Sequence, residues 1–250
     1  MITSDIIRKG IESLGICPGM KIEVHSSLRS FGSVEGGAHA VIRALMESVT
    51  ENGSIVMPSF LMSPKLPPDD DDRALGITCK IRILSPDDDN DMRVRSGMGI
   101  IADTFKRMPC VVTGEGMFRL SAWGIEKEIN CINLCNLNDN GGCALMLGTD
   151  IYSLSSMHYM ESALPDRIKA IFAPNRKASE RYPADKWFVE TGGPPVKAWY
   201  KIQEEAFSRG FIKEMVIGKS RCMFFRISDV TGLYKHALET DPFGLYGIRD

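Results

Sequence analysis

The chain has 250 residues, of which 44% are hydrophobic and 25% charged. These proportions suit a globular chain with a sizeable core and exclude a wholly disordered one. The 30 Lys and Arg residues stand against 32 Asp and Glu, a net charge of −2, which excludes a dominant nucleic-acid footprint, because that needs a clustered basic excess.

Residues 4 to 16 read as a first helix, capped by Ser4, with Ile6, Ile7, Ile11 and Leu14 at helical spacing. Gly19 breaks the chain, and KIEVHSSL reads as a short strand running into a polar loop. AHAVIRALMESV follows Gly36-Gly37 as a second helix, with Val41, Ile42, Leu45, Met46 and Val49 on its apolar face. After the Asn52-Gly53 turn comes SIVMPSF, a strand ended by Pro58. This order is a βαβ unit, expected parallel and right-handed. Residues 63–97 carry Asp69 to Asp72, then Asp87, Asp88, Asp89 and Asp91, and read as a long acidic surface loop. Gly97 to Met108 reads as a helix, CALMLGT as a buried strand, and MHYMESAL as the start of another helix. KAIFA and KWFVE then read as antiparallel strands, followed by Gly192, Gly193, Pro194 and Pro195. VKAWYKIQEEAFSRG reads as a helix closed by Gly210, EMVIGKSRCMFFRIS as a hairpin, and SDVTGLYKHALETD as a last helix. The expected fold class is α/β. An N-terminal βαβ-type parallel or mixed sheet is flanked by helices, with antiparallel strands in the C-terminal part, and all 250 residues form one domain.

No run approaches the ~20 apolar residues of a membrane span. MITSDIIRKG carries acid and base where a signal peptide needs apolar residues, so the chain reads as cytoplasmic, without membrane or nucleic-acid partners. The seven cysteines are odd in number and scattered, and read as reduced thiols. Cys131 and Cys135 lack a second pair or a nearby His, so no metal site is expected.

Two places carry candidate chemistry. His25-Ser26-Ser27 ends the first strand, where open α/β sheets bind ligands, and Ser30, Gly32, Gly36 and Gly37 extend the loop. Its small polar residues offer N–H groups and hydroxyls to a phosphate, although it is neither a Walker loop nor a GxGxxG fingerprint. His158 lies beyond the strand at 143–149, with Ser155 and Ser156 before it and Glu161 after it. A histidine can take a proton near neutral pH, and a carboxylate on its other nitrogen fixes the tautomer. The weighed alternatives are an ordinary loop and a structural histidine. PDDDNDM lacks the glycine and terminal Glu of a calcium loop and reads as solvated surface. His39 and His236 have no partner pattern, and Trp123, Trp187 and Trp199 read as core or pocket wall.

VHSSLRSFGSVEGGAHAVIRALMESVTENGSIVMPSF closely resembles the N-terminal signature of the aminoglycoside 3-N-acetyltransferase family. SGMGIIADTFKRMP, LSAWG, ALMLGTDIYSLSSMHYMES and the C-terminal GFIKEMVIGKSRCMFFRISDVTGLYKHALETDP fall in the same order as that family's later blocks. The resemblance implies direct transfer of acetyl from acetyl-CoA to an amine, aminoglycosides included, without a metal. It makes His158 the general base and Glu190 its orienting carboxylate. It makes His25, Ser26, Ser27, Leu28 and Ser30 contacts to CoA, with Ser155 and Ser156 beside the thioester. Glu161 and Glu115 become candidate acceptor contacts. The implied chain is a monomer or homodimer with a small-molecule amine as partner. The stretch before LSAWG departs from the family's R-S-x-H-P-x-x-S, with Glu115, Gly116 and Arg119 in place of its His, Pro and later Ser. After WFVE the chain continues TGGPPVKAW, where the family often has acids. These departures keep open a catalytically silent CoA-binding or partner-binding protein. A hydrolase using Ser156 or Ser27 is the weaker alternative, since no G-x-S-x-G elbow supports it.

Overall fold

The computed structural model describes residues 1–83, 98–191 and 196–248. The strands are β1 (Lys21–Ser26), β2 (Ser54–Pro58), β3 (Met62–Leu66), β4 (Ile77–Ile83), β5 (Val112–Thr113), β6 (Leu120–Gly124), β7 (Cys143–Leu147), β8 (Trp187–Thr191), β9 (Lys213–Ile217) and β10 (Ser220–Arg226). The helices are α1 (Ser4–Leu14), α2 (Gly37–Val49), α3 (Asp70–Ala74), α4 (Ile100–Lys106), α5 (Lys127–Asn130), α6 (Cys135–Asp139), α7 (Asp166–Phe172), α8 (Arg176–Arg181), α9 (Val196–Ser208), α10 (Ile227–Thr240) and α11 (Pro242–Tyr246). Short 3-10 segments lie at Leu28–Phe31, Ile151–Ser153 and Ser155–Ala163.

The large sheet has the order β5-β6-β2-β1-β7-β10-β9. Its centre is parallel, with β1 beside β2 and β7. Antiparallel pairs flank it on both sides, β2–β6 and β5–β6 on one edge, β7–β10 and β10–β9 on the other. The sheet is therefore mixed α/β, as its sequence pattern implies, but antiparallel pairing also occurs before residue 125. Strand alternation sends Ile22 and Val24 of β1 into a core shared with Ile7, Ile11, Val41 and Leu45 of α1 and α2. The opposite face carries Val56, Ala144, Met146 and Phe225 into a second core with Trp199, Ile202, Val230 and Tyr234 of α9 and α10. Glu23 and His25 alternate with Ile22 and Val24, so they belong to this second face, and both are buried. Among the described residues no helix is long and apolar enough to cross a membrane.

Four expectations need correction. Thr3, not Ser4, caps α1, its side chain accepting the Ile6 N–H, while the Ser4 hydroxyl donates to Ala40 O. Ile6 faces solvent, so the buried stripe is Ile7, Ile11 and Leu14. KAIFA is not a strand. It lies in α7, because Asp166 follows Pro165 as a helix start and only Ile168 is buried while Ile171 is exposed. The acidic stretch 63–97 is not a plain loop where it is described. Asp69 and Asp72 form a capping box that starts α3. Flanking β3 and β4 join β8 in a three-stranded antiparallel sheet. Ile77 packs there with Ala178 and Tyr182. Asp87 to Asp91, Gly97 and the 192–195 turn lie outside the described residues.

Candidate functional site

The parallel strands β1 and β7 are neighbours in register, with Ser26 opposite Leu147. Their C-terminal ends therefore open side by side, where such sheets bind ligands. Gly148 turns the chain out of β7 at a φ of +72°, and a Cβ there would stand 1.8 Å from Ser30 Oγ. Only glycine fits that corner. Ser30 Oγ is engaged inward, donating to Ser27 O at 2.7 Å and lying 2.7 Å from Ser220 Oγ.

Residues 150–163 follow, and successive side chains tie to different elements. Asp150 accepts the Tyr152 N–H at 3.1 Å and the Tyr200 hydroxyl of α9 at 2.9 Å. Ile151 N donates to Gln203 Oε1 at 3.1 Å. The Tyr152 hydroxyl donates to Glu190 Oε1 of β8 at 2.8 Å. Ser155 N lies 3.3 Å from His25 Nε2, and Ser156 N donates to Glu23 Oε1 at 3.3 Å. The Ser156 hydroxyl bonds Glu23 Oε2. His158 then stands outward, its side chain 55% exposed, with Nδ1 2.8 Å from Glu161 Oε2. Its ring meets Trp199 edge-on at 5.0 Å between centroids. This leaves Nε2 without a protein partner among the described residues, on a ring that a carboxylate and an indole hold in place.

Burial first, and the bond to Glu190 second, push the Tyr152 phenol far above its ordinary range, so it stays a donor. Burial and Asp150 raise Tyr200 in the same way. Cys79 pairs in register with Glu190, and burial followed by that carboxylate raises its thiol, which keeps it protonated and poorly nucleophilic.

A groove of about 380 Å³ lies beside this segment's base, walled by Ser26 to Arg29 on one side and Met98 to Ile100 on the other. Ser26, Ser27 and Leu28 thus line one opening, together with Arg29 and the 98–100 backbone. The SGMG sequence before α4 is the signal for that second wall. The other expected CoA contacts stand elsewhere. Ser30 faces Ser220. The His25 Nε2 points inward at Glu23, and Ser155 and Ser156 are buried by the same pair. Glu190, expected on His158, is bonded to Tyr152, and Glu161 occupies the histidine instead. The three-residue spacing of His158 and Glu161 on one short helix explains why the nearer acid holds the ring. Glu115 is exposed on the turn between β5 and β6, with no hydrogen bond or ion pair to the 150–163 segment. The Ser156 hydroxyl bonds Glu23 rather than His158 and is buried, an arrangement unsuited to a serine nucleophile. Glu23 is the residue that the sequence pattern did not single out.

The family model for aminoglycoside 3-N-acetyltransferase matches residues 24–128. The SPbeta prophage-derived aminoglycoside N(3')-acetyltransferase-like protein YokD of Bacillus subtilis (strain 168) is 33% identical over 183 residues. That match covers 65% of this chain and 66% of the relative, just under two thirds of the relative's length. The crystal structure of aminoglycoside acetyltransferase AAC(3)-IVa as apoenzyme is similar with a TM-score of 0.71 at 20% identity, over 97% of this chain and 90% of that one. The structure of AAC-IIIb in binary complex with CoASH is similar with a TM-score of 0.69 at 18% identity, over 95% of this chain and 96% of that one.

Proposed function

Because the chain belongs to the aminoglycoside 3-N-acetyltransferase family, we propose that it moves the acetyl group of acetyl-CoA directly to a small cationic amine, with His158 as general base. The carrying observation is the His158 ring, exposed at Nε2 and tied at Nδ1 to Glu161. A carboxylate on Nδ1 fixes the tautomer that leaves Nε2 able to accept a proton. The acceptor's ammonium gives a proton to Nε2, its nitrogen attacks the thioester carbonyl, and the new C–N bond forms as the C–S bond breaks. The CoA sulfur leaves as thiolate and takes up a proton. The groove beside Ser26 to Arg29 fits the co-substrate in character, since it joins serine hydroxyls to one cation at the C-terminal edge of a parallel sheet. A fold neighbour was solved with CoASH, and an aminoglycoside-like acceptor follows from the family. Glu161, Asp150 and Glu190 supply carboxylates along one segment, suited to a cationic acceptor. In this reading Glu190 serves the acceptor through the Tyr152 contact rather than orienting His158.

The second reading, a catalytically silent CoA binder, is favoured by one observation, the bond of Glu190 to Tyr152 in place of His158. Free-thiol release from acetyl-CoA against a panel of amines, aminoglycosides included, separates the two. The transferase requires amine-dependent release, and His158→Ala lowers its turnover by about 10² to 10⁴. Near-wild-type turnover in that variant overturns the general base. CoA binding without release on any amine favours the silent protein.

A further inference from the structure

Glu23 is a fully buried carboxylate in the middle of the central strand, on a face otherwise built from Val56, Ala144 and Met146. Desolvation opposes a charge there, and an apolar side chain would suit the packing. Its partners among the described residues are the His25 imidazole at 2.7 Å, the Ser156 N–H at 3.3 Å and the Ser156 hydroxyl. No Lys or Arg pairs with it among the described residues. His25 Nε2 also faces the Ser155 N–H at 3.3 Å. Two strand side chains therefore hold two successive backbone amides that lie 130 or more positions away in sequence. Those amides open the 3-10 turn that carries His158.

We infer that Glu23 and His25 are positioning residues for the proposed transfer, pinning Ser155 and Ser156 so that His158 stands where the acceptor's proton is taken. The inference rests on the reading of His158 as general base. The hydrogen-bond inventory sharpens it. One ring nitrogen either donates or accepts. When the ring proton is on Nε2 it serves Glu23, and the Ser155 amide loses its acceptor. When it is on Nδ1, Nε2 accepts from Ser155, and a proton on Glu23 closes the 2.7 Å contact. A single proton shared by the pair thus decides whether the 155 amide is held.

Misplacement of a catalytic group by about 1 Å costs on the order of 10² in rate. Glu23→Gln and His25→Gln therefore lower kcat by about 10- to 100-fold, with KM for acetyl-CoA within about threefold. Amide hydrogen exchange at Ser155 and Ser156, read by NMR on the full chain, becomes faster in both variants. Ser156→Ala removes one donor with less disturbance and gives a smaller fall in kcat with the same change in exchange. It carries the test if Glu23→Gln does not fold. Faster exchange with unchanged kcat makes the pair a structural tie and overturns the inference, as does unchanged exchange. Equal falls in kcat and in acetyl-CoA binding, tracking lost folded protein, overturn it too. A wild-type chain that releases no thiol with any amine removes the transferase reading and the inference with it. An active wild type with an unaffected Glu23→Gln overturns the inference alone.

Discussion

Each sheet of this molecule buries one carboxylate completely, Glu23 in the large sheet and Asp72 beside the small one. Asp72 is met by the Lys80 ammonium and the Tyr182 hydroxyl, with Arg181 Nε 3.8 Å away. Burial alone would raise its pKa, yet the bonds from Lys80 and Tyr182 outweigh it and hold the group well below the carboxylate range. Glu23 has no such cation, and its donors are an imidazole and the amide and hydroxyl of a distant serine. A carboxylate ringed by cations fastens the elements that carry them, here α3, β4 and the end of α8. A carboxylate met by neutral donors can be satisfied only when a particular segment closes on it. The first arrangement stabilises a sheet, and the second aims a loop.

Removing Asp72 gives the largest expected effect. Asp72→Ala leaves Lys80 buried without its main partner and breaks the capping box of α3. The expected loss is about 3 to 5 kcal/mol, the cost of breaking a buried pair, read from urea unfolding. A loss below about 1 kcal/mol would mean that Lys80 repairs with Asp69, which already stands 3.6 Å away. Acid titration makes the same point. The folded Asp72 value lies below the unfolded one, so its stabilisation is complete above the ordinary carboxylate range and is lost as pH falls toward the folded value. Trp187 packs on Tyr182 at 4.8 Å between centroids, so its fluorescence reports the small sheet. In Asp72→Asn the acid limb of that signal flattens. An unchanged limb would assign the acid sensitivity to other carboxylates.

Gly148→Ala is expected next, and it strikes the large-sheet side. The new Cβ meets Ser30 Oγ, and the residue must keep a φ of +72°. The backbone conformation alone costs a non-glycine residue about 1 to 2 kcal/mol, and the clash adds to it. Unfolding should show the loss, and acetyl transfer should fall as well, because this turn leads into the segment that bears His158. A stability loss with unchanged kcat would separate the turn from the placement of the base.

The sequence made β1, α2 and β2 readable because their apolar residues recur cleanly at periods of 2 and 3.6. It hid β4 because the neighbouring acids suggested solvent, and because Lys80, buried by Asp72, interrupts the alternation of Ile77 and Ile81. It misled at 169–173 because a five-residue apolar run has no resolvable period. At the site, His158 and Glu161 were legible as a three-residue pair. Glu23 and His25 were visible only as two polar residues on one strand face. Their partners lie across the fold, at positions that no local pattern links to them.

Tyr152→Phe has the smallest expected effect and tests how far the two regions act together. The Tyr152 hydroxyl joins the 150–163 segment to Glu190 on the small sheet. Its loss should cost about 0.5 to 1.5 kcal/mol, since the half-buried carboxylate can turn to water. If Glu190 meets the cationic acceptor, that acceptor no longer competes with the phenol for the carboxylate. A bond worth about 1 kcal/mol then corresponds to a roughly fivefold lower KM for the amine, with kcat and acetyl-CoA KM little changed. An unchanged amine KM would make the Tyr152–Glu190 contact a tie between the sheets and nothing more. The acceptor would then be held by Asp150 and Glu161, both within the His158 segment, and the small sheet's part in the chemistry would reduce to supporting that segment from behind.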